Sequence, residues 1–118
     1  MMGGTSKDYG CPVEFSLDLL RGKWKPVILA RLKQGPMRYG QLRRAIPALS
    51  DKVLTERLRD LEASGLVSST TEMDGAVRTY SLTERGMSLK PVLQALYDWG
   101  EGAAADFGAT IRPPATGD

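Results

Sequence analysis

Lys52, Thr55 and Arg59 stand at i, i+3 and i+7, the spacing that lines three side chains along one face of a helix. Lys52 and Arg59 can donate to guanine O6 or N7 or to phosphate oxygens. Thr55 can hydrogen-bond a base edge or touch a thymine methyl. The other reactive type is a single cysteine, Cys11, and the sequence contains no histidine. Histidine-based triads and imidazole metal sites are therefore excluded, and one cysteine makes neither a CxxC pair nor an intramolecular disulfide. The carboxylates are scattered outside any catalytic or metal-binding motif. No catalytic residue, metal ligand set or cofactor motif emerges, so the expectation is a protein that is not an enzyme.

The charge pattern supports an anionic partner. The net charge is only +2. Yet between Arg21 and Arg59 lie eleven basic residues against two acidic ones, Asp51 and Glu56, and both flanking stretches are net acidic. A basic block of this kind suits a phosphate-facing surface, although an ordinary solvated helical surface has a similar composition.

The elements that must carry these residues follow from periodicity and breakers. With 118 residues the chain fits one domain, expected over 11–108, with a flexible arm at 1–10 and a disordered tail at 109–118. It has neither a membrane-spanning run nor a signal-like start, which predicts a cytoplasmic protein without a membrane partner. Pro12 opens a first helix with Val13, Leu17 and Leu20 on one face, and Gly22 ends it. A second helix carries Trp24, Val27, Ile28 and Leu32 and stops at Gly35-Pro36. A third spans about Tyr39 to Ile46, with Tyr39, Leu42 and Ile46 inward and Arg38, Gln41, Arg43 and Arg44 largely toward solvent. After Pro47-Ala48-Leu49, Ser50 caps a fourth helix that continues through Ala63. Its inner face is Leu54, Leu58 and Leu61.

Beyond Gly65, two runs rich in Val, Thr, Ser and Tyr flank Asp74-Gly75, a strong hairpin signal that pairs Thr71 with Arg78 and Val67 with Leu82. Thr83 then opens a last helical region reaching about Phe107, with breaks possible near Gly86 or before Pro91. The predicted fold is mainly α with a small β-hairpin: a winged helix-turn-helix with a two-stranded wing and a C-terminal dimerisation helix. Candidate DNA contacts are Arg38, Gln41, Arg43, Arg44, Ser50, Lys52, Thr55, Glu56, Arg57 and Arg59, with Gly75 and Arg78 in the wing. Arg57 points away from Lys52 and suits a phosphate or an internal carboxylate, while Glu56 suits cytosine N4 or a neighbouring arginine. Winged helices also serve as protein-interaction modules without DNA, so the fold alone leaves that alternative open.

Several motifs in order, Cys11-Pro12-Val13-Glu14, Gly22-Lys23-Trp24, Arg38-Tyr39, Leu42-Arg43-Arg44, Ile46-Pro47, Leu54-Thr55, Gly65-Leu66-Val67 and Tyr80-Ser81-Leu82-Thr83-Glu84, resemble the HxlR-type transcriptional regulators, winged-helix relatives of the MarR group. The resemblance runs from Cys11 to about Glu101. It implies a homodimer on inverted-repeat operators in double-stranded DNA, acting as repressor or activator. It also makes Cys11 a candidate redox or electrophile sensor, since some members use a cysteine just before the first helix. The positive end of a helix dipole favours a thiolate there. The competing role for Cys11 is a small apolar filler between the first and last helices.

Dimerisation has separate support from patterning. Leu89, Leu93, Leu96, Gly100, Ala103 and Phe107 form one stripe in the last helix, and a domain this small cannot bury that stripe together with Val13 and Leu17 of the first. Tyr97, Trp99 and Trp24 could line a pocket for a small-molecule effector, or simply form core.

Overall fold

A computed structural model describes residues 8–112; of the expected arm and tail, residues 1–7 and 113–118 lie outside the described residues. Cys11, in extended conformation, caps helix α1 (Pro12–Leu19), its Sγ accepting from the Val13 N–H at 3.3 Å. Gly22, at φ +85°, turns the chain into α2 (Trp24–Leu32), which tolerates Pro26 because the first turn has no intrahelical acceptor for that nitrogen. Next come the two-residue strand β1 (Met37–Arg38) and helices α3 (Tyr39–Ala45) and α4 (Asp51–Ala63). The hairpin β2 (Val67–Glu72) and β3 (Val77–Leu82) leads into α5 (Glu84–Met87) and α6 (Lys90–Ala103). A 3₁₀ turn over Ala104–Phe107 follows, closed by Gly108 in the left-handed conformation.

The core is a leucine-rich layer between α2, α3, α4 and the sheet. Leu54, Leu58 and Leu61 of α4 are at most 1% exposed and pack with Ile28, Leu29 and Leu32 of α2, with Leu42 and Ile46, and with Leu66, Val67 and Tyr80. Ser50 starts α4 as predicted, its hydroxyl accepting from the Val53 N–H at 3.1 Å.

The wing is larger than the predicted two strands. Its sheet has three antiparallel strands in the order β1-β3-β2, with Met37 opposite Tyr80 and Arg38 opposite Thr79. A strand of two residues carries too little alternation to be read from sequence, but Gly35 at φ +142° and Pro36 steer the backbone into it. The hairpin has the expected register, with Val67 opposite Leu82 and Thr71 opposite Arg78. Asp74 and Gly75 adopt positive φ and the Ala76 N–H bonds the Met73 carbonyl at 3.1 Å, a type I′ arrangement. Met73 is also left-handed, at φ +54°.

The last helical region divides between α5 and α6 at Ser88 and Leu89, so both suspected breaks belong to one interruption. Leu93, expected at a dimer interface, is instead 4% exposed in the domain's own core, and Leu89 is half-buried against it. These two residues anchor α6 to the body of the domain. No helix among the described residues is long and apolar enough to cross a membrane.

Gly86 locks the junction. A Cβ there would stand 2.1 Å from the Leu66 carbonyl oxygen, which is backbone and already accepts from the Thr83 N–H at 3.0 Å. Gly86→Ala is expected to destabilise the fold by about 1–3 kcal/mol, as overpacking of a rigid contact does, measured by urea unfolding. Wild-type stability in that variant would show that the junction yields freely.

Candidate nucleic-acid interface

The turn between α3 and α4 is held by side chains rather than by sequence brevity alone. Arg43, reaching forward from α3, donates to the Leu49 carbonyl and lies 3.6 Å from the Asp51 carboxylate. The Tyr39 hydroxyl donates to Asp51 and lies 3.2 Å from Thr55 Oγ1. Gln41 accepts from the Arg38 N–H at 2.8 Å and so caps the start of its own helix. These contacts dock α3 and the first turn of α4 as one unit.

The predicted contact residues consequently divide into two groups. Lys52 and Arg59 are exposed on the outer face of α4 and make no hydrogen bond or ion pair among the described residues. Arg38 and Arg44 are likewise exposed, on β1 and α3. The rest have internal duties. Ser50 caps α4, Arg43 and Gln41 hold α3 and the turn, and half-buried Thr55 meets Tyr39. Arg57 lies 3.7 Å from Glu56 and 4.0 Å from Asp60, so it is internally paired and Glu56 is its partner.

In the wing, Arg78 donates to Ser69 Oγ at 2.9 Å, and Ser69 donates to Glu62 of α4 at 2.6 Å. Arg78 therefore ties the hairpin to α4 from the second residue of β3, while Gly75 sits at the exposed tip. The Tyr39–Asp51 and Glu62–Ser69–Arg78 links escaped the sequence reading because they join residues 12 or more apart, or cross elements, with no periodic signature.

A model of the HxlR-like helix-turn-helix family matches residues 19–106. The chain belongs to that family. It is 44% identical over 95 residues to YkvN of Bacillus subtilis, a helix-turn-helix-type transcriptional regulator, with 80% of each chain covered. The redox regulator HypR in its reduced form superposes with a TM-score of 0.74 at 37% identity, over 79% of this chain and 93% of that one. Quinone-bound YodB of B. subtilis does so with a TM-score of 0.65 at 33% identity, over 78% and 99%. This HxlR-like chain is accordingly a winged-helix transcriptional regulator of the helix-turn-helix type, and its relatives are regulators rather than enzymes.

Cys11 is exposed in this regulator, so within one chain it does not fill the seam between the first and last helices. The three aromatics considered for an effector pocket do not converge. Tyr97 lines an open groove of about 1080 Å³ with Lys33, Leu93, Glu101 and Ile111, whereas Trp99 meets Phe107 edge-on and Trp24 lies under Lys23.

Three phenols of the regulator titrate high, Tyr9 first through its hydrogen bond to Asp18 and two more in the body of the domain. Tyr39 is held above the ordinary tyrosine value, first by burial and then by its hydrogen bond to Asp51; Tyr80 is raised chiefly by burial. The folded chain thus keeps these protons more tightly than the unfolded chain. The associated stability is complete below about pH 10 and is lost as pH climbs from there through the folded-state values. Urea unfolding at stepped alkaline pH should show this decline, and Tyr80→Phe should make it shallower. An identical decline in that variant would place the titration elsewhere.

Proposed function

We propose that the regulator works as a homodimer that reads an inverted-repeat operator with two α4 helices and responds to oxidants or electrophiles through Cys11. The observation that carries the DNA-reading part is the pair Lys52 and Arg59, left exposed and unpaired on α4 while neighbouring Arg43, Arg57 and Arg78 are engaged within the fold. Exposed Arg38 and Arg44 supply flanking phosphate contacts. Dimerisation is supported by apolar faces that the chain leaves uncovered. Val13 and Leu17 of α1 and Leu96, Trp99 and Phe107 at the other end are all more than half exposed. Nothing lies within 4 Å of a Cβ built at Gly100 or Gly102, which leaves room for close helix approach. A symmetric pairing through these faces would set the two α4 helices about one duplex turn apart, roughly 34–36 Å.

Lys52→Ala and Arg59→Ala should each weaken binding to the regulator's operator by about 1–3 kcal/mol, measured by mobility shift or anisotropy. Wild-type affinity should also fall steeply with salt, as phosphate neutralisation requires. Affinity equal to that for random duplex, or insensitive to salt, would favour a protein-interaction module instead.

The response to oxidants is supported by exposed Cys11, whose Sγ accepts from the Val13 N–H at the start of α1, and by the likeness to HypR and quinone-bound YodB. With no second cysteine in the chain, diamide would remove two electrons and two protons from a pair of Cys11 thiols, one per protomer, and form one S–S bond. Alternatively the thiolate adds to an electrophile such as a quinone and forms a single C–S bond. Diamide treatment should give a linked dimer on a non-reducing gel together with changed operator affinity. A Cys11→Ser variant that responds in the same way would reject the sensor role.

A further inference from the structure

Thr55 is the one polar side chain of the reading stripe whose hydroxyl is shared with another residue. Tyr39 Oη lies 3.2 Å from Thr55 Oγ1, and the same oxygen donates to Asp51, whose carboxylate and backbone carbonyl are both within reach. A phenol has one hydrogen, and carboxylate and carbonyl oxygens only accept. Once that hydrogen goes to Asp51, Tyr39 can meet Thr55 only as an acceptor, so the Thr55 hydrogen points inward. Arg43, 3.6 Å from Asp51, holds the carboxylate in place. The raised titration of Tyr39 keeps the phenol protonated throughout the working pH range.

We propose that Tyr39 is a specificity-determining positioning residue: it takes the Thr55 hydrogen, so that Thr55 presents lone pairs alone to the major groove. An acceptor there matches an exocyclic amino group, adenine N6 or cytosine N4, and is repelled by guanine O6 or thymine O4 in the same place. The inference rests on α4 being the reading helix, as proposed above.

Selection from randomised duplex with the full-length wild type identifies the operator, and Thr55→Val then reveals which base position depends on Thr55. That position should carry adenine or cytosine. Exchanging adenine for guanine, or cytosine for thymine, replaces the donor by an acceptor at one point in the groove. It should weaken wild-type binding about fivefold to tenfold, the effect of one mismatched hydrogen bond. In Tyr39→Phe the Thr55 hydroxyl is free to rotate and donate, so the same exchange should cost about twofold or less. Thr55→Ser, which keeps the hydroxyl and its neighbour, should retain the wild-type discrimination. Thermal unfolding of each variant separates loss of fold from loss of reading.

Guanine or thymine at the Thr55-dependent position would overturn the inference. So would a Tyr39→Phe variant that binds every sequence more weakly by one common factor. Failure to enrich any sequence would instead overturn the DNA-reading assignment, and this inference with it.

Discussion

Leu54, Leu58 and Leu61 fix the rotation of α4 about its own axis, and the orientation of the reading face depends on that rotation. One residue corresponds to about 100°, so a slip by a single position would replace core leucines with Thr55, Arg59 and Glu62. Burying such groups without partners costs several kcal/mol, whereas each buried leucine contributes about 1.5–3 kcal/mol. The same rotation turns Lys52 and Arg59 outward. A helix of 13 residues is marginal on its own in water, so α4 owes its persistence to this packing rather than to intrinsic propensity.

Within the frame so fixed, the cations near α4 fall into two kinds. Arg43, Arg57 and Arg78 each meet an acceptor of their own chain, and each partner lies on α4 or at its entrance: Leu49 and Asp51, Glu56 and Asp60, and Glu62 by way of Ser69. Half-exposed pairs of this type contribute little stability, typically below about 1 kcal/mol. Their effect is geometric. Arg43 ties α3 to the entrance of α4 and Arg78 ties the hairpin to it, while all three engagements take positive charge from the set free to meet phosphate. In the proposed function, specific binding would then fall on fewer cations held in a more rigid frame, which favours sequence discrimination over general attraction to polyanions.

The sequence made the helices legible because their apolar positions recur at helical spacing and their ends carry strong stops. Ser50, Gly22, Gly35 and Gly65 stand where the structure caps or turns the chain, and Asp74-Gly75 makes the hairpin turn. Strand β1 escaped because two residues have no period. Leu93 lies in the core rather than on the expected interface because a stripe on a helix does not say which of two surfaces covers each member, and α6 carries apolar residues that face both inward and outward. Among candidate contacts, hydrogen bonds within the chain set Arg43 and Arg78 apart from Lys52 and Arg59. A basic side chain reads the same in sequence whether it meets a phosphate or a carbonyl of its own backbone.

The outward half of α6 and most of α1, where only Leu19 among the apolar residues packs against the core, pose a common physical problem. None of the residues of α1 is buried among the described residues, and eight residues are far too few for a helix to persist unaided. In the proposed dimer, α1 would acquire its packing from the second copy, and Cys11 sits at the start of that packing. A covalent change at Cys11 would then act on the first turn of α1, where its Sγ now meets the Val13 N–H, and through α1 on the spacing of the two α4 helices. An inverted repeat tolerates little error in that spacing, because each reading head must meet its half-site at a fixed phase of the duplex. A small local rearrangement can therefore alter operator affinity without touching Lys52, Thr55 or Arg59. In that dimer the reading surface would stay intact while its register on DNA changed.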